Sequence, residues 1–407
     1  MLKVINRPSY RSVLALYLFG QTPVPLGISQ DEELDGLNGA ICSQTALSHV
    51  QQLRQRLRCC QFNGSDVSTW SNAATSNAPT RSPDLTEEYL HLESRAYWAT
   101  IVWDTSDAMT LNLRSILSSG LKGACFEPVW QLTKSFLVGS FHERTEEWRK
   151  NGFRVSGDMA PQITSAASVC TIYTWRTIAS LKEALREGVE EATVQFVWES
   201  VLDAIDAFKT TIHPILTNYE RRLHFLGQVE RFNWYEIVLL YYLGILMLPD
   251  VLEAGNRSDL LEQLAQTGLE AGRECFNVLK FGLESTYTMT WSSSLPGTDS
   301  TSGESDAENS TRSLTVSFVA IDPYPHHVVA AVRLLDKTFR QQYLQGTITQ
   351  EAKSRLYSAL RQALDQLPQN SKAVQSARDG LKASLPDFVS VPVENTNSAR
   401  IFVQNSQ

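Results

Sequence analysis

The chain has 407 residues, of which 44 are acidic and 36 basic, so its formal net charge at pH 7 is −8. Hydrophobic residues make up 43 % and charged residues 20 %, a composition typical of a globular protein with a large core. The negative charge argues against a naked nucleic-acid binder, which needs a basic face, and six cysteines are too few for a disulfide scaffold. We therefore expect a soluble intracellular protein.

Apolar residues at three- and four-residue spacing predict helices along most of the chain. The clearest apolar stripes lie in residues 45–57, 193–212 and 356–367. Further helices are predicted at residues 87–103, 160–187, 220–248, 259–284 and 326–345. The predicted fold class is therefore all-α.

The most apolar stretch, residues 234–248, carries Glu236 and ends at Pro249. A bilayer-spanning helix needs about 20 apolar residues, so this stretch predicts a buried core helix and no membrane span. Arg7 and Arg11 interrupt the N-terminal 20 residues, so we expect no signal peptide there.

Three segments depart from the helical pattern. Alternation at Leu314, Val316, Phe318 and Ala320 predicts one short strand or extended strap, and a lone strand does not make a sheet. Residues 62–84 are predicted to be a mobile loop, and the Ser-rich, acidic residues 292–313 a disordered insertion. Residues 1–390 would then form one helical domain, followed by a flexible tail at 391–407.

The usual signatures of catalysis are absent from the sequence: a glycine-rich phosphate loop, a G-x-S-x-G elbow, H-E-x-x-H and a dinucleotide fingerprint. Cys59 and Cys60 are adjacent and lack the spacer of a zinc site. His326 and His327 are also adjacent, and neighbouring helical residues point about 100° apart. We predict no catalytic residues, no metal ligands and no enzyme activity.

Aromatic residues next to charged residues indicate a candidate pocket. Amphipathic aromatics and an acid in apolar helices can line a small-molecule cavity. The candidate residues for such an effector pocket are Arg95, Trp98, Asp104, Trp234 and Glu236. In the alternative interpretation they are large core residues whose polar atoms find partners inside the protein.

Residues 88–112, EYLHLESRAYWATIVWDTSDAMTLN, resemble the middle homology region of fungal transcription factors. In that region a helix with an arginine and an aromatic–Trp pair leads into a Trp-Asp turn. Residues 12–20, 232–244 and 317–328 are similar to other parts of the regulatory region of six-cysteine zinc-cluster transcription factors. The similarity covers roughly residues 8–385 and depends on the order of these segments.

The resemblance implies an all-helical regulatory domain in the nucleus that controls transcription, for instance of a biosynthetic gene set of secondary metabolism. Its partners would be other transcription factors or the transcription machinery, and a small-molecule effector is a further expectation. The family's DNA-binding module has six closely spaced cysteines that bind two zinc ions, whereas the cysteines here spread from Cys42 to Cys275.

No zinc cofactor and no direct DNA binding are therefore expected. Either the gene model is truncated or the protein acts without touching DNA. Two alternatives remain: a helical interaction protein, and an unrecognised enzyme that uses Arg95, Asp104, Glu236 and the surrounding aromatic residues.

Overall fold

A computed structural model describes residues 2–29, 39–59, 87–117, 125, 127–292 and 311–384. In these residues the regular secondary structure is helical apart from one two-stranded antiparallel sheet and an isolated bridge between Pro25 and Ser371, which confirms the predicted all-α class. The predicted loop at 62–84 and the predicted tail at 391–407 lie outside the described residues, as does most of 292–313.

The helices of the first half of the chain are α1 (Leu2–Ile5), α2 (Tyr10–Gly20), α3 (Gly39–Cys59), α4 (Glu87–Thr110), α5 (Pro128–Ser135), α6 (His142–Arg144), α7 (Glu146–Arg149) and α8 (Ala160–Glu187). Those of the second half are α9 (Glu191–Ala207), α10 (His213–Glu220), α11 (Gln228–Ala254), α12 (Ser258–Glu284), α13 (Pro325–Leu344), α14 (Gln350–Gln366) and α15 (Lys372–Ala383). The strands are β1 (Thr286–Ser292) and β2 (Thr311–Ser317). Further segments are π-helical, Phe136–Phe141 and Phe208–Ile212, or 3₁₀-helical, Leu223–Phe225 and Val319–Ile321.

Helix α11 lies at the centre of the molecule, packed between α8 and α12. It is apolar around most of its circumference, which is typical of a helix buried on several sides, and Leu243, Leu248 and Leu252 are fully enclosed. Two glycines let neighbouring aromatic rings approach closely. A Cβ on Gly244 would overlap the Trp175 indole, and a Cβ on Gly282 would overlap the Tyr235 ring.

By length and composition α11 could also cross a membrane, and 67 % of its most apolar 18-residue window is buried inside the protein. The predicted bounds of this helix, 220–248, were wrong at both ends. Glu220 ends α10 and α11 begins at Gln228, and Pro249 lies inside α11. Proline removes one backbone N–H and its ring crowds the preceding turn. The helix nevertheless continues to Ala254, and the burial of Leu252 in the main core favours that continuation.

The prediction of a lone strand was also wrong. Strand β2 pairs with β1 in an antiparallel hairpin, with Leu314 opposite Met289 and Val316 opposite Tyr287. Phe318 and Ala320, which belonged to the predicted alternation, lie beyond the strand in a turn and a 3₁₀ helix. The predicted insertion at 292–313 overlaps both strands at its ends, so its boundaries were too wide.

The N-terminal helices α2 and α3 pack against each other and against α4. Their apolar residues form a cluster separate from the main core, which includes Val13, Leu16, Val50 and Trp103. Helix α4 therefore contacts the N-terminal pair on one side. On its other side it contacts α8, so polar residues of α4 lie at the junction of two packing units.

Candidate functional site

Buried and half-buried polar side chains collect where α2, α4, α11, the segment before α13 and the first turn of α13 meet. We call this group the central polar cluster and define it by Tyr17, Trp103, Ser106, Asp107, Tyr235, Glu236, Asp322, Tyr324, His326 and His327.

Aromatic rings connect the N-terminal helices to the rest of the cluster. Tyr17 of α2 stacks on Trp103 of α4, with ring centroids 3.2 Å apart and an interplanar angle of 9°. The Tyr17 hydroxyl is hydrogen-bonded to Tyr324, whose ring stacks on His327 at a centroid distance of 4.9 Å. Three segments distant in sequence are thus held together by one ring stack and one hydrogen bond.

The two histidines share one hydroxyl partner. Hydrogen bonds join Ser106 Oγ to His326 Nε2 at 3.1 Å and to His327 Nε2 at 2.6 Å. Burial lowers the pKa of His326 to about 4, and burial together with His326 holds the pKa of His327 well below its usual value. Both imidazoles are therefore uncharged at neutral pH. No group of three or more His, Cys, Asp or Glu side chains able to hold a metal ion occurs among the described residues.

Two carboxyl groups in the cluster have raised pKa values. Burial, reinforced by the charge of Asp322, raises the pKa of Glu236 to about 8. Burial raises the pKa of Asp322 to about 7, against the opposing effect of two hydrogen bonds. The Tyr235 hydroxyl donates to Asp322 Oδ2 at 3.1 Å, and the Tyr324 N–H donates to Oδ1 at 2.8 Å.

A third carboxyl group lies on α4. Burial and the neighbouring Asp104 raise the pKa of Asp107 to about 7, and a hydrogen bond from Ser43 opposes the shift. Its Oδ2 atom is buried and has no hydrogen-bond partner among the described residues. A protonated carboxyl at this position avoids placing an unpaired charge in the interior.

Asp104 lies at the border of the cluster and has a structural environment of its own. It forms an ion pair with Arg176 of α8 at 2.8 Å, and both side chains are almost completely buried, with exposed fractions of 0 % and 2 %. Asp104 also accepts hydrogen bonds from the N–H groups of Ile116 and Leu117 and from the Ser115 hydroxyl. Asp104 thereby fixes the chain that follows α4.

The five predicted pocket residues lie in different environments. Glu236 belongs to the central polar cluster and Asp104 borders it, whereas Arg95 is exposed on α4. Trp98 packs edge-on against Trp130 at 5.9 Å. Trp234 packs against Phe281 at 5.0 Å, and its Nε1 has no partner among the described residues. The structure therefore places the acids Asp104 and Glu236 in or beside the central polar cluster. The indoles of Trp98 and Trp234 belong to other packing contacts.

Several residues of the cluster were not predicted as site residues. One short run of the sequence, residues 322–327, supplies Asp322, Tyr324, His326 and His327. The density of polar and aromatic residues in this run is the only sequence signal for a site there. Asp107 and Ser106 follow Asp104 on the same helix. The partners that bury them are up to 221 residues distant, as for Ser106 and His327, and no local pattern reveals such pairing.

The cluster combines carboxyl groups with pKa values near 7 to 8 and uncharged imidazoles, which are groups able to exchange protons near neutrality. Perturbed values of this kind occur at functional sites and also in structural networks. Glu236 is half-buried, and the described residues show no hydrogen bond or ion pair to its carboxyl group. No family model matches the chain, and no curated protein or solved structure matches it either.

Proposed function

We propose that this chain is a helical regulatory domain that controls transcription in the nucleus. It would act through protein partners, either other transcription factors or the transcription machinery, and respond to a small-molecule effector. The proposal rests on the resemblance of four segments to the regulatory region of fungal zinc-cluster transcription factors. The observation that supports it is the meeting of these four segments at the central polar cluster.

Each of the four segments contributes a contact there. Tyr17 from residues 12–20 stacks on Trp103 from residues 88–112. Tyr235 from residues 232–244 donates to Asp322 from residues 317–328. Segments whose order suggested one family therefore meet at the junction between the N-terminal helices and the main core, as expected if their residue types are required together.

The net charge of −8 supports regulation through proteins already bound to DNA, because phosphate contacts need a basic surface. Targets in secondary metabolism are the finer part of the proposal and follow from the resemblance alone. The two alternatives from the sequence, an interaction protein and an enzyme, predict no effect on transcription when the chain is brought to a promoter.

The test is to fuse the chain to a foreign DNA-binding domain and measure a reporter gene with the matching operator. We expect reporter output to change at least severalfold, upward or downward, relative to the DNA-binding domain alone. There are two matched controls. Arg176→Met removes one partner of the buried ion pair with Asp104, and Lys280→Ala removes one partner of the exposed ion pair with Glu284.

The first control should abolish the effect and the second should retain it. The proposed function would be overturned if the wild-type fusion left reporter output unchanged. The comparison is made at equal nuclear protein levels, with and without metabolites added from a cell extract.

A further inference from the structure

An open cleft with aromatic walls lies between the segment Phe136–Phe141, helices α6 and α7, and the first turns of α8. Its volume is about 660 Å³, within the usual range of roughly 300–1,000 Å³ for small-molecule sites. We call it the aromatic cleft and define it by Phe136, Phe141, Arg144, Trp148, Ser165 and Val169.

The aromatic wall depends on the π-helical segment. In an α-helix, residues five apart point about 140° away from each other, because each residue turns the chain by 100°. In the wider π-helical turn they come to nearly the same face, and the rings of Phe136 and Phe141 are 5.4 Å apart. Trp148 packs edge-on against Phe141 at 6.4 Å and extends the wall. Such π-helical turns are rare and frequently mark functional sites.

Hydrogen bonds hold this wall in place without a ligand. Arg149 donates to the His142 carbonyl at 2.6 Å and to Thr145 Oγ1 at 2.9 Å. The Asn218 side-chain amide donates to the carbonyls of Trp148 and Lys150, both at 2.9 Å. The cleft is therefore preorganised, which reduces the entropy that a ligand loses on binding.

The cleft has one charged lining residue, the cation Arg144, and no carboxylate among its lining residues. The guanidinium lies 5.8 Å from the centre of the Phe136 ring, and its Nε donates to the Ser140 carbonyl. The described residues give its two Nη atoms no hydrogen-bond or ion-pair partner. Among the described residues Arg144 forms no ion pair with the nearby Glu143, Glu146 or Glu147, and Glu147 is paired with Lys150.

We propose that the aromatic cleft binds a small apolar carboxylic acid. The Nη atoms of Arg144 would bind the carboxylate in the two-pronged geometry that guanidinium groups favour. The apolar body would lie between the aromatic wall and Val169, with the exposed Ser165 at the rim. This site is separate from the central polar cluster. It names a ligand class for the small-molecule response and in that respect rests on the proposed function, but binding is measured on the purified chain without the reporter assay.

The probe is 4-phenylbutyrate, and its neutral counterpart is 4-phenylbutanol. Affinities are measured with the purified full chain by ligand-observed NMR and calorimetry. We expect the acid to bind at least tenfold more tightly than the alcohol. In Arg144→Met, which keeps an unbranched side chain but removes the charge, the two affinities should become equal. The matched control is Arg355→Met, an exposed arginine on α14, which should leave the tenfold preference intact.

A second pair of variants tests the location. Ser165→Trp places a large ring in the cleft from an exposed position and should weaken 4-phenylbutyrate at least tenfold, whereas Ser165→Ala should change its affinity less than twofold. Equal binding of acid and alcohol by the wild-type chain would overturn the proposal. So would a preference for the acid that survives Arg144→Met, or tight binding in Ser165→Trp. A failed reporter assay with intact binding would count against the transcriptional role alone.

Discussion

The central polar cluster and the aromatic cleft are built in opposite ways. In the cluster, polar and ionisable groups are buried or half-buried, and aromatic rings such as Tyr17 and Trp103 pack beside them. In the cleft, the rings of Phe136 and Trp148 border an open space and the one charge, Arg144, has its Nη atoms unpaired within the described chain. The sequence had suggested a single pocket that combined aromatics with an acid.

The difference separates two physical roles. An enclosed polar group must find a protein partner or change its protonation, because a buried unpaired charge is costly. An open apolar wall is instead stabilised when another molecule covers it. We therefore expect substitutions in the cluster to change folding stability, and substitutions in the cleft to change ligand binding.

The largest expected effect is that of Arg176→Met. It leaves Asp104 buried without its ion-pair partner, and breaking a buried pair in this way costs about 3–5 kcal/mol. The free energy of unfolding is measured by urea denaturation. Lys280→Ala, in an ion pair with both side chains more than half exposed, should cost less than about 0.5 kcal/mol. Similar losses for the two variants would contradict the special role of the buried pair.

The second prediction concerns pH and Glu236. Its folded-state pKa of about 8 lies above the value in an unfolded chain, so the folded state retains a proton that the unfolded state releases. Stability should therefore fall as pH rises from about 4.5 to 8. Glu236→Gln cannot ionise, and at pH 8.5 it should exceed the wild type by on the order of 3 kcal/mol, while the two converge near pH 4.5.

This difference is measured from denaturation midpoints between pH 4.5 and 8.5. The control is Glu262→Gln, an exposed carboxyl on α12, which should follow the wild-type curve. Parallel curves for the wild type and Glu236→Gln would show that Glu236 is not responsible for the pH dependence.

The third prediction uses two glycines of α12. In Gly282→Ala the new methyl group overlaps the Tyr235 ring, which donates to Asp322, so we expect a loss of about 1–3 kcal/mol from overpacking. Gly268 has no atom within 4 Å of the added carbon, and Gly268→Ala should stabilise the helix by up to about 1 kcal/mol. Changes of the same sign in urea denaturation would refute the close packing around Tyr235.

The smallest effect on stability is expected in the cleft. Arg144 is exposed, so Arg144→Met should change the free energy of unfolding by less than about 0.5 kcal/mol. A loss above 1 kcal/mol in the same denaturation experiment would mean that Arg144 supports the fold, and the proposed division between cluster and cleft would not hold.

Helix periodicity was sufficient to predict most of the architecture. Helix α8 occupies residues 160–187 as predicted, with Pro161 in its first turn and Gly188 in a left-handed conformation, φ 62°, at its end. Helix α12 begins one residue before its predicted start and ends at the predicted residue, Glu284. Such helices can be recognised without knowledge of tertiary contacts, because the apolar stripe and the residues that begin and end a helix are local features of the sequence.

The sites were harder to predict because they depend on long-range contacts or irregular backbone. Glu236 was recognised as an acid in an apolar helix, but its neighbour Asp322 lies 86 positions further on. Phe136 and Phe141 are five residues apart, so an α-helical pattern assigns them to different faces. The pairing of β1 with β2 was not predicted. The alternating residues of β1, Tyr287, Met289 and Trp291, directly follow the long helix α12, so they were not recognised as a separate strand.

The side chain of Gln228 is hydrogen-bonded to the backbone of strand β1 in the hairpin. Its amide donates to the Thr288 carbonyl at 3.1 Å and accepts from the Thr288 N–H at 3.0 Å, as a neighbouring strand would. Edge strands with free backbone groups are templates for association between molecules. Because Gln228 occupies this position on β1, an incoming chain must first displace it, and growth of the sheet along that edge is obstructed.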